Sequence, residues 1–476
     1  MSRVPRALTT TAVAAGLALA ATTAAALPAN AKPPRFTPGA AGAGDPYFPE
    51  MGNGGYSPIH YEIGLKYDPK SKGIDAVTTV QARATQNLSR FDLDFQGLTI
   101  KWLAVDGHRA SYKRVGTQEL VITPPKGLRK GKRFTVTVAY SGVPQTINDP
   151  ALGVSGWVPT ADGGLMLNQP IGAAAVYPVD DHPTEKATYG FTLSAPSALT
   201  TVANGDLKGK WSRNGWTTTR WVMDRPMASE LAMIAIGRYD EVKGRTAHGA
   251  PNLTYTDVNM KIPADKAKLF NTQTAQITDW ESSVYGRYPW SSTGGITVAA
   301  HVGYALETQG RPVYDLYKHP GNIPSGDLLA HELGHQWFGD SVSPYRWSDI
   351  WLNEGFATYS EWLYQEKFNN TPVEKSFQGV YSTPATDDLW KGVVSNPGRD
   401  HIFDNLVYDR AAAAIHVLRK QIGDKAFFTL LRTWPAINRY GNGSTAQFVR
   451  VAQQVSHKDL SKWAHTWIYS EGKPSL

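Results

Sequence analysis

The chain of 476 residues has no cysteine. That excludes a disulfide framework, so the fold must be held by its core and by any metal it binds. It has no strongly apolar run of roughly 18 residues after residue 31, so no membrane span is expected beyond that point. No internal repeat and no nucleic-acid motif is visible, and nucleic acid is not an expected partner. Charge of one sign is not in large excess: the net is +7. The densest basic run, KGLRKGKR (126–133), reads as a solvated hairpin loop rather than a polyanion site.

The first 31 residues differ from the rest. Arg3 and Arg6 make a basic start, an Ala/Leu/Val/Thr-rich stretch follows, and Ala29-Asn30-Ala31 has the small residues of a cleavage site. Residues 1–31 therefore read as a Sec-type signal peptide, and the expected destination is outside the cell or in a periplasm. The two arginines are not adjacent, which argues against a twin-arginine signal. Cleavage would remove two positive charges and no acid, taking the net from +7 to +5. Residues 32–55 are rich in Pro, Gly and Ala and read as a flexible tail.

From Tyr56 to about residue 245 the pattern is strand-like. HYEIGLKYD, AVTTVQARAT, FDLDFQG, LTIKWLAVDG, ELVITPP, RFTVTVAY, ATYGFTLSAP and TTTRWVMD alternate or are β-branched and aromatic. Turn pairs such as Asp106-Gly107, Asn204-Gly205 and Asn214-Gly215 punctuate them. After a further strand-like stretch, ITVAAHVGYALET, residues 246–476 are mostly helical: 263–285, 325–339, 349–368, 408–423, 424–434, 444–456 and 459–470. The expected class is α+β, a β-rich domain over 56–245 followed by a mostly helical domain over 246–476.

Within the helical half, His331-Glu332-Leu333-Gly334-His335 is followed nineteen residues on by Glu354. On a helix, positions i and i+4 share a face, so the two imidazoles point the same way. Two histidines and one carboxylate leave a fourth position of a tetrahedral zinc open for water, the catalytic rather than the structural pattern. Glu332, beside the first histidine, can reach that water as a general base and hand the proton to a leaving amine. Glu361 lies seven residues past Glu354, about two turns on, and is a candidate to orient a ligand histidine.

HELGHQWFGD and WLNEGFATY resemble the aminopeptidase N family of zinc metallopeptidases, a branch of the gluzincins. The resemblance runs from about Tyr56 to Leu476, with FDLDFQGL, PVDDHPTEKATY and VANGDL as further marks. It implies a saddle-like β-domain, a thermolysin-like catalytic domain, one zinc ion per chain, and peptide substrates with a free N-terminus. Tyr408 matches the tyrosine that the family places opposite the zinc, although Arg410 and Ala411 stand where the family's YxKG has Lys and Gly. Glu307 matches the glutamate of the GAMEN motif, which binds the substrate's ammonium group. Tyr304 and Thr308 depart from that motif, replacing its Gly and Asn. Gln169 matches a Gln/Glu that also faces the amine, with Ala174 where arginine is common. The chain stops after the family's catalytic domain, so the helical C-terminal domain of many relatives is expected to be absent. The reading is a secreted zinc aminopeptidase. A thermolysin-like endopeptidase, the family's epoxide hydrolase branch and an inactive binding module remain as alternatives; the intact ligands and base weigh against the last.

Overall fold

The computed structural model describes residues 35–476, so the signal-peptide expectation lies outside the described residues. Eight strands form the largest sheet. Its middle is built from Ala187–Pro196, Tyr56–Asp68, Gly73–Ala84 and Arg133–Gly142. Tyr56–Asp68 alternates buried and exposed positions along most of its length, as a strand with one face on a core requires. Asn214 (φ 50°) and Gly215 (φ 77°) make the two-residue turn between Asp206–Arg213 and Trp216–Met227. That pair of left-handed residues matches the twist of a hairpin. A four-stranded sheet (Thr37–Pro38, Leu88–Asp94, Glu119–Thr123, Ser111–Val115) and a five-stranded sheet (Thr146–Asp149, Gly153–Pro159, Gly164–Leu167, Ile234–Gly237, Thr200–Ala203) complete the β-rich half. The basic run 126–133 is exposed except for Leu128.

The second half opens with its own five-stranded sheet, ordered Tyr239–Arg245, Pro251–Asp257, Thr293–Val298, Val313–Asp315 and Ala305–Leu306. Its helices are α1 (Ala264–Tyr285), α2 (Gly326–Gly334), α3 (Trp351–Asn369), α4 (Val373–Tyr381), α5 (Ala411–Ile422), α6 (Asp424–Ile437) and α7 (Thr445–Ser456). Tyr255, Ile296, Val298, Leu306 and Val313 of this sheet share one buried cluster with Trp157, Leu167 and Ala203 of the β-domain. That shared core fixes the short edge strand Ala305–Leu306 against the β-domain. Among the described residues no helix is long and apolar enough to cross a membrane.

Three expectations need correction. The tail is not loose from Phe36 onward. Thr37–Pro38 pairs with Leu88–Asp94. Asp45 is buried and accepts the backbone N–H groups of Tyr47 at 2.8 Å and Trp347 at 2.9 Å. Phe48 packs edge-on against Trp347 at 5.8 Å. Small residues made the segment read as mobile, but these few anchors outweigh composition. The strand Tyr239–Arg245, at the end of the expected β-rich stretch, pairs with Pro251–Asp257 in the second sheet rather than within the β-rich half. A strand's sequence does not say which sheet it joins.

The stretch ITVAAHVGYALET is not one strand. It breaks after Val298 and resumes at Ala305. The Asp315 carboxylate accepts the N–H groups of Ala300, Val302 and Gly303 at 3.0, 2.7 and 2.9 Å, winding the intervening loop around itself. Helix 325–339 stops at Gly334: Gln336 and Trp337 donate to carbonyls three residues back, at 3.1 Å each, which tightens the last turn.

Candidate active site and metal centre

Helices α2 and α3 cross closely, and glycine makes the contact possible. A Cβ on Gly334 would lie 2.6 Å from Ser360 Oγ, and one on Gly355 would lie 2.7 Å from Ala411 Cβ. These approaches bring α2, α3 and α5 onto one spot. His331, His335 and Glu354 meet there, buried, with candidate ligand atoms all within 4.8 Å of one another. Glu354 Oε2 is 3.5 Å from His331 Nε2 and 3.3 Å from His335 Nε2.

Both histidines are oriented from behind. His331 Nδ1 lies 2.6 Å from Glu361 Oε1. His335 Nδ1 lies 3.0 Å from the carbonyl oxygen of Phe338. A carbonyl only accepts, so this bond requires a proton on Nδ1 and, in the neutral ring, leaves the Nε2 lone pair facing Glu354. Two such nitrogens and a carboxylate aimed at a common point repel one another unless a cation sits between them. The donor set therefore fits zinc: two imidazoles and one carboxylate, with partners behind both imidazoles.

Glu332 is buried, and its Oε2 has no hydrogen-bond partner. Burial pushes its carboxyl up to about 8; Glu307 and Glu354 add to the rise, and the two histidines oppose it. A dication at the triad would pull it back down, toward a carboxylate able to take a proton. Glu307, Glu332 and His335 form a second set of atoms within 4.8 Å. Glu307 accepts a hydrogen bond from Gln169 Nε2 at 2.7 Å, across 138 residues of sequence. Tyr408 stacks nearly parallel to His331, with rings 6.1 Å apart and 18° between planes. Burial raises its phenol pKa, with Glu354, Glu307 and Glu332 adding to the effect, so it is held as a proton donor. All seven sequence-derived site residues and Glu361 thus converge on one place.

Two supporting residues have no role in the sequence reading. Gln336 Nε2 donates to the Glu307 carbonyl at 3.1 Å, and its Oε1 accepts from Trp290 Nε1 at 2.8 Å and Gly310 N at 2.7 Å. It pins the segment just after the strand Ala305–Leu306 to the turn that follows α2. Lys186 comes from the β-domain and is half-buried near Glu230 and Asp340; desolvation lowers its ammonium to about 7. It donates to the carbonyls of Asp340 and Ser341, at 2.9 and 3.2 Å, in the turn after His335. Both lie inside the quoted motifs, HELGHQWFGD and PVDDHPTEKATY, and that placement was the available signal.

Residues 57–231 match the Peptidase M1 N-terminal domain, and residues 322–467 match the Peptidase family M1 domain that contains the triad. The chain belongs to peptidase family M1. The family and its solved zinc metallopeptidases indicate zinc as the metal, and the His331/His335/Glu354 triad is a donor set that could hold it. Among curated relatives, Aminopeptidase M1-D of Oryza sativa subsp. japonica is 26% identical over 323 residues, 64% of this chain and 37% of that protein. Aminopeptidase N of Streptomyces lividans is 23% identical over 439 residues, 87% and 50% of the two chains. The M1 chain spans between about a third and half of the length of the curated relatives it matches. The M1 zinc metallopeptidase from Deinococcus radiodurans superposes with a TM-score of 0.83 at 25% identity, covering 91% of this chain and 98% of that one.

Proposed function

We propose that this chain is a zinc-dependent aminopeptidase that removes residues one at a time from the N-termini of peptides. The observation that carries the reading is the Gln169–Glu307 pair set against Glu332 and His335. A buried carboxylate beside the hydrolytic machinery is a binding point for a cation, and the cation that every unblocked peptide offers is its terminal ammonium. Once the ammonium is bound there, the first peptide bond is the one held within reach of Glu332.

Zinc at the triad supplies Lewis acidity and makes water nucleophilic near neutral pH. Glu332 takes a proton from the attacking water and passes it to the departing amine. Tyr408 donates a hydrogen bond to the oxygen that gains negative charge as the carbonyl becomes tetrahedral. Glu361 and the Phe338 carbonyl hold the imidazoles in place, and Gln169 holds the Glu307 carboxylate toward the amine. A mutant of the Deinococcus radiodurans relative has been seen bound to a Tyr-Ser-Ala substrate, which supports peptides as the substrate class.

An endopeptidase would have no use for the Glu307 carboxylate, and a binding module would have no use for Glu332 and three intact ligands. Export is part of the proposal and rests on Arg3, Arg6 and Ala29–Ala31; N-terminal sequencing of the mature protein tests it. The catalytic reading is tested with Glu307→Ala. That variant should lose kcat/KM against free-amine peptides and keep its zinc. Unchanged kcat/KM would overturn the amine-binding assignment.

A further inference from the structure

Tyr408 does not sit on ordinary α-helix. Leu406–Arg410 is wound as a π-turn that leads into α5. Such turns are rare and are found mostly as single turns within α-helices, frequently at functional sites. Arg410 occupies its last position and is fully buried. Its guanidinium donates through Nη1 to the carbonyls of Trp390 at 3.2 Å and Gly392 at 2.9 Å, and through Nη2 to the carbonyl of Ser470. It also lies 5.7 Å from the centre of the Trp390 ring. Burial lowers its pKa to about 10, with Glu471 opposing, so the fork stays charged at neutral pH.

The pieces it joins are joined to one another. Ser395 donates through N and Oγ to the Ile468 carbonyl at 3.2 and 3.0 Å, and Gly472 N donates to Trp390 O at 2.6 Å. The loop at 390–395 presses directly on the turn: a Cβ on Gly392 would lie 2.6 Å from Leu406 Cδ2. The turn therefore sits between α3 and α5 on one side and a carbonyl cradle on the other, with Arg410 as the peg. A planar fork can engage carbonyls on two separate segments at once; an ammonium on a flexible stem is a single point charge.

We infer that Arg410 is a positioning residue: by clamping the carbonyls of Trp390, Gly392 and Ser470 it fixes the π-turn that presents Tyr408 to the reacting carbonyl. This rests on the proposed role of Tyr408. A displacement of about 1 Å at such a donor costs on the order of 10²-fold in rate, so a loosened clamp should register in kcat long before the fold is lost.

The test is a double-mutant cycle on the zinc-loaded full chain with Tyr408→Phe, Arg410→Lys and the double variant, reading kcat, KM and zinc content. Tyr408→Phe should lower kcat by about 10²–10³-fold. Arg410→Lys should lower kcat at least about tenfold with KM and zinc content nearly unchanged, and should add no more than about twofold in the Tyr408→Phe background. Should Arg410→Lys fold poorly, Gly392→Ala displaces the same turn by pressing on Leu406 and should give the same pattern. Multiplying losses in the double variant, or a loss that tracks zinc content, would overturn the inference while leaving the aminopeptidase reading intact. Full kcat in Tyr408→Phe would instead remove the proposed role of Tyr408 and this inference with it.

Discussion

Glu361 stands 2.6 Å from the Nδ1 of His331 and seven residues beyond Glu354 on the same helix, so α3 supplies both a candidate metal ligand and the support of a second one. Seven residues is close to two full turns, which places both carboxylates on one face. The two acids act at different depths: Glu354 is nearly sealed, with 3% of its side chain exposed, and Glu361 keeps 31%. A single rigid element thus fixes the relative position of the ligand and the group that orients its neighbour.

Removing that support should loosen the metal without removing the chemistry. Glu361→Ala is expected to weaken zinc affinity by about 10–100-fold, the usual effect of losing a partner behind a ligand histidine. Competition against a chelator of known affinity measures it. With zinc in excess, much of the activity should return; unchanged affinity would mean that the His331–Glu361 contact does not tune the site.

Glu332→Gln separates the base from the ligands. The amide keeps the shape of the side chain and cannot accept the proton, so turnover should fall by about 10²–10⁴-fold or more. Zinc stoichiometry by elemental analysis should remain one per chain. Substantial turnover in this variant would remove Glu332 from the proton path.

Lys186 links the two halves at the turn behind His335. Lys186→Met leaves the Asp340 and Ser341 carbonyls without that donor. Buried acceptors stripped of a partner cost about 1–3 kcal/mol each. A lowered thermal midpoint is the expected result. A midpoint equal to that of the unaltered protein would mean that the turn is held by its backbone bonds alone.

Glu119 offers a pH test far from the metal. Both its carboxylate oxygens are buried without partners, and burial, reinforced by Asp92 and Glu50, pushes it from 4.5 to about 8. Between those values the folded chain holds a proton that the unfolded chain has released. Glu119's contribution is therefore fully present below pH 4.5 and is lost as pH rises through about 8. Glu119→Gln should flatten the fall in stability over this window and leave the variant the more stable of the two at pH 8 and above. Denaturant titrations at several pH values would show it, and parallel pH curves for the two proteins would contradict it.

The triad was legible because helical spacing alone brings His331 and His335 to one face, and because the residue types suit one metal. Strands such as Tyr56–Asp68 were legible from alternation. What escaped depends on contacts between segments far apart in the chain. No local pattern says that Asp45 will cap the backbone of Trp347, that Asp315 will gather a loop from 300–303, or that Lys186 will reach the turn after His335. The early stop of α2 was hidden for a related reason. Its sequence continues to read as helix through Phe338, but a tightened turn delivers the Phe338 carbonyl to His335. Gln169 and Glu307 could be named only through family resemblance, since 138 residues separate two side chains that meet at 2.7 Å.

The most direct test uses paired peptides of identical sequence, one with a free N-terminus and one acetylated, incubated with the zinc-loaded protein and followed by mass spectrometry. Acetylation removes the charge that Glu307 would meet. Losing one partner of a buried charge pair costs about 2–5 kcal/mol, a fall of roughly thirtyfold or more in kcat/KM. The free peptide should shorten by one residue at a time from its N-terminus, with the acetylated peptide nearly untouched. Internal cleavage, or equal hydrolysis of both peptides, would contradict an aminopeptidase and favour an endopeptidase built on the same zinc site.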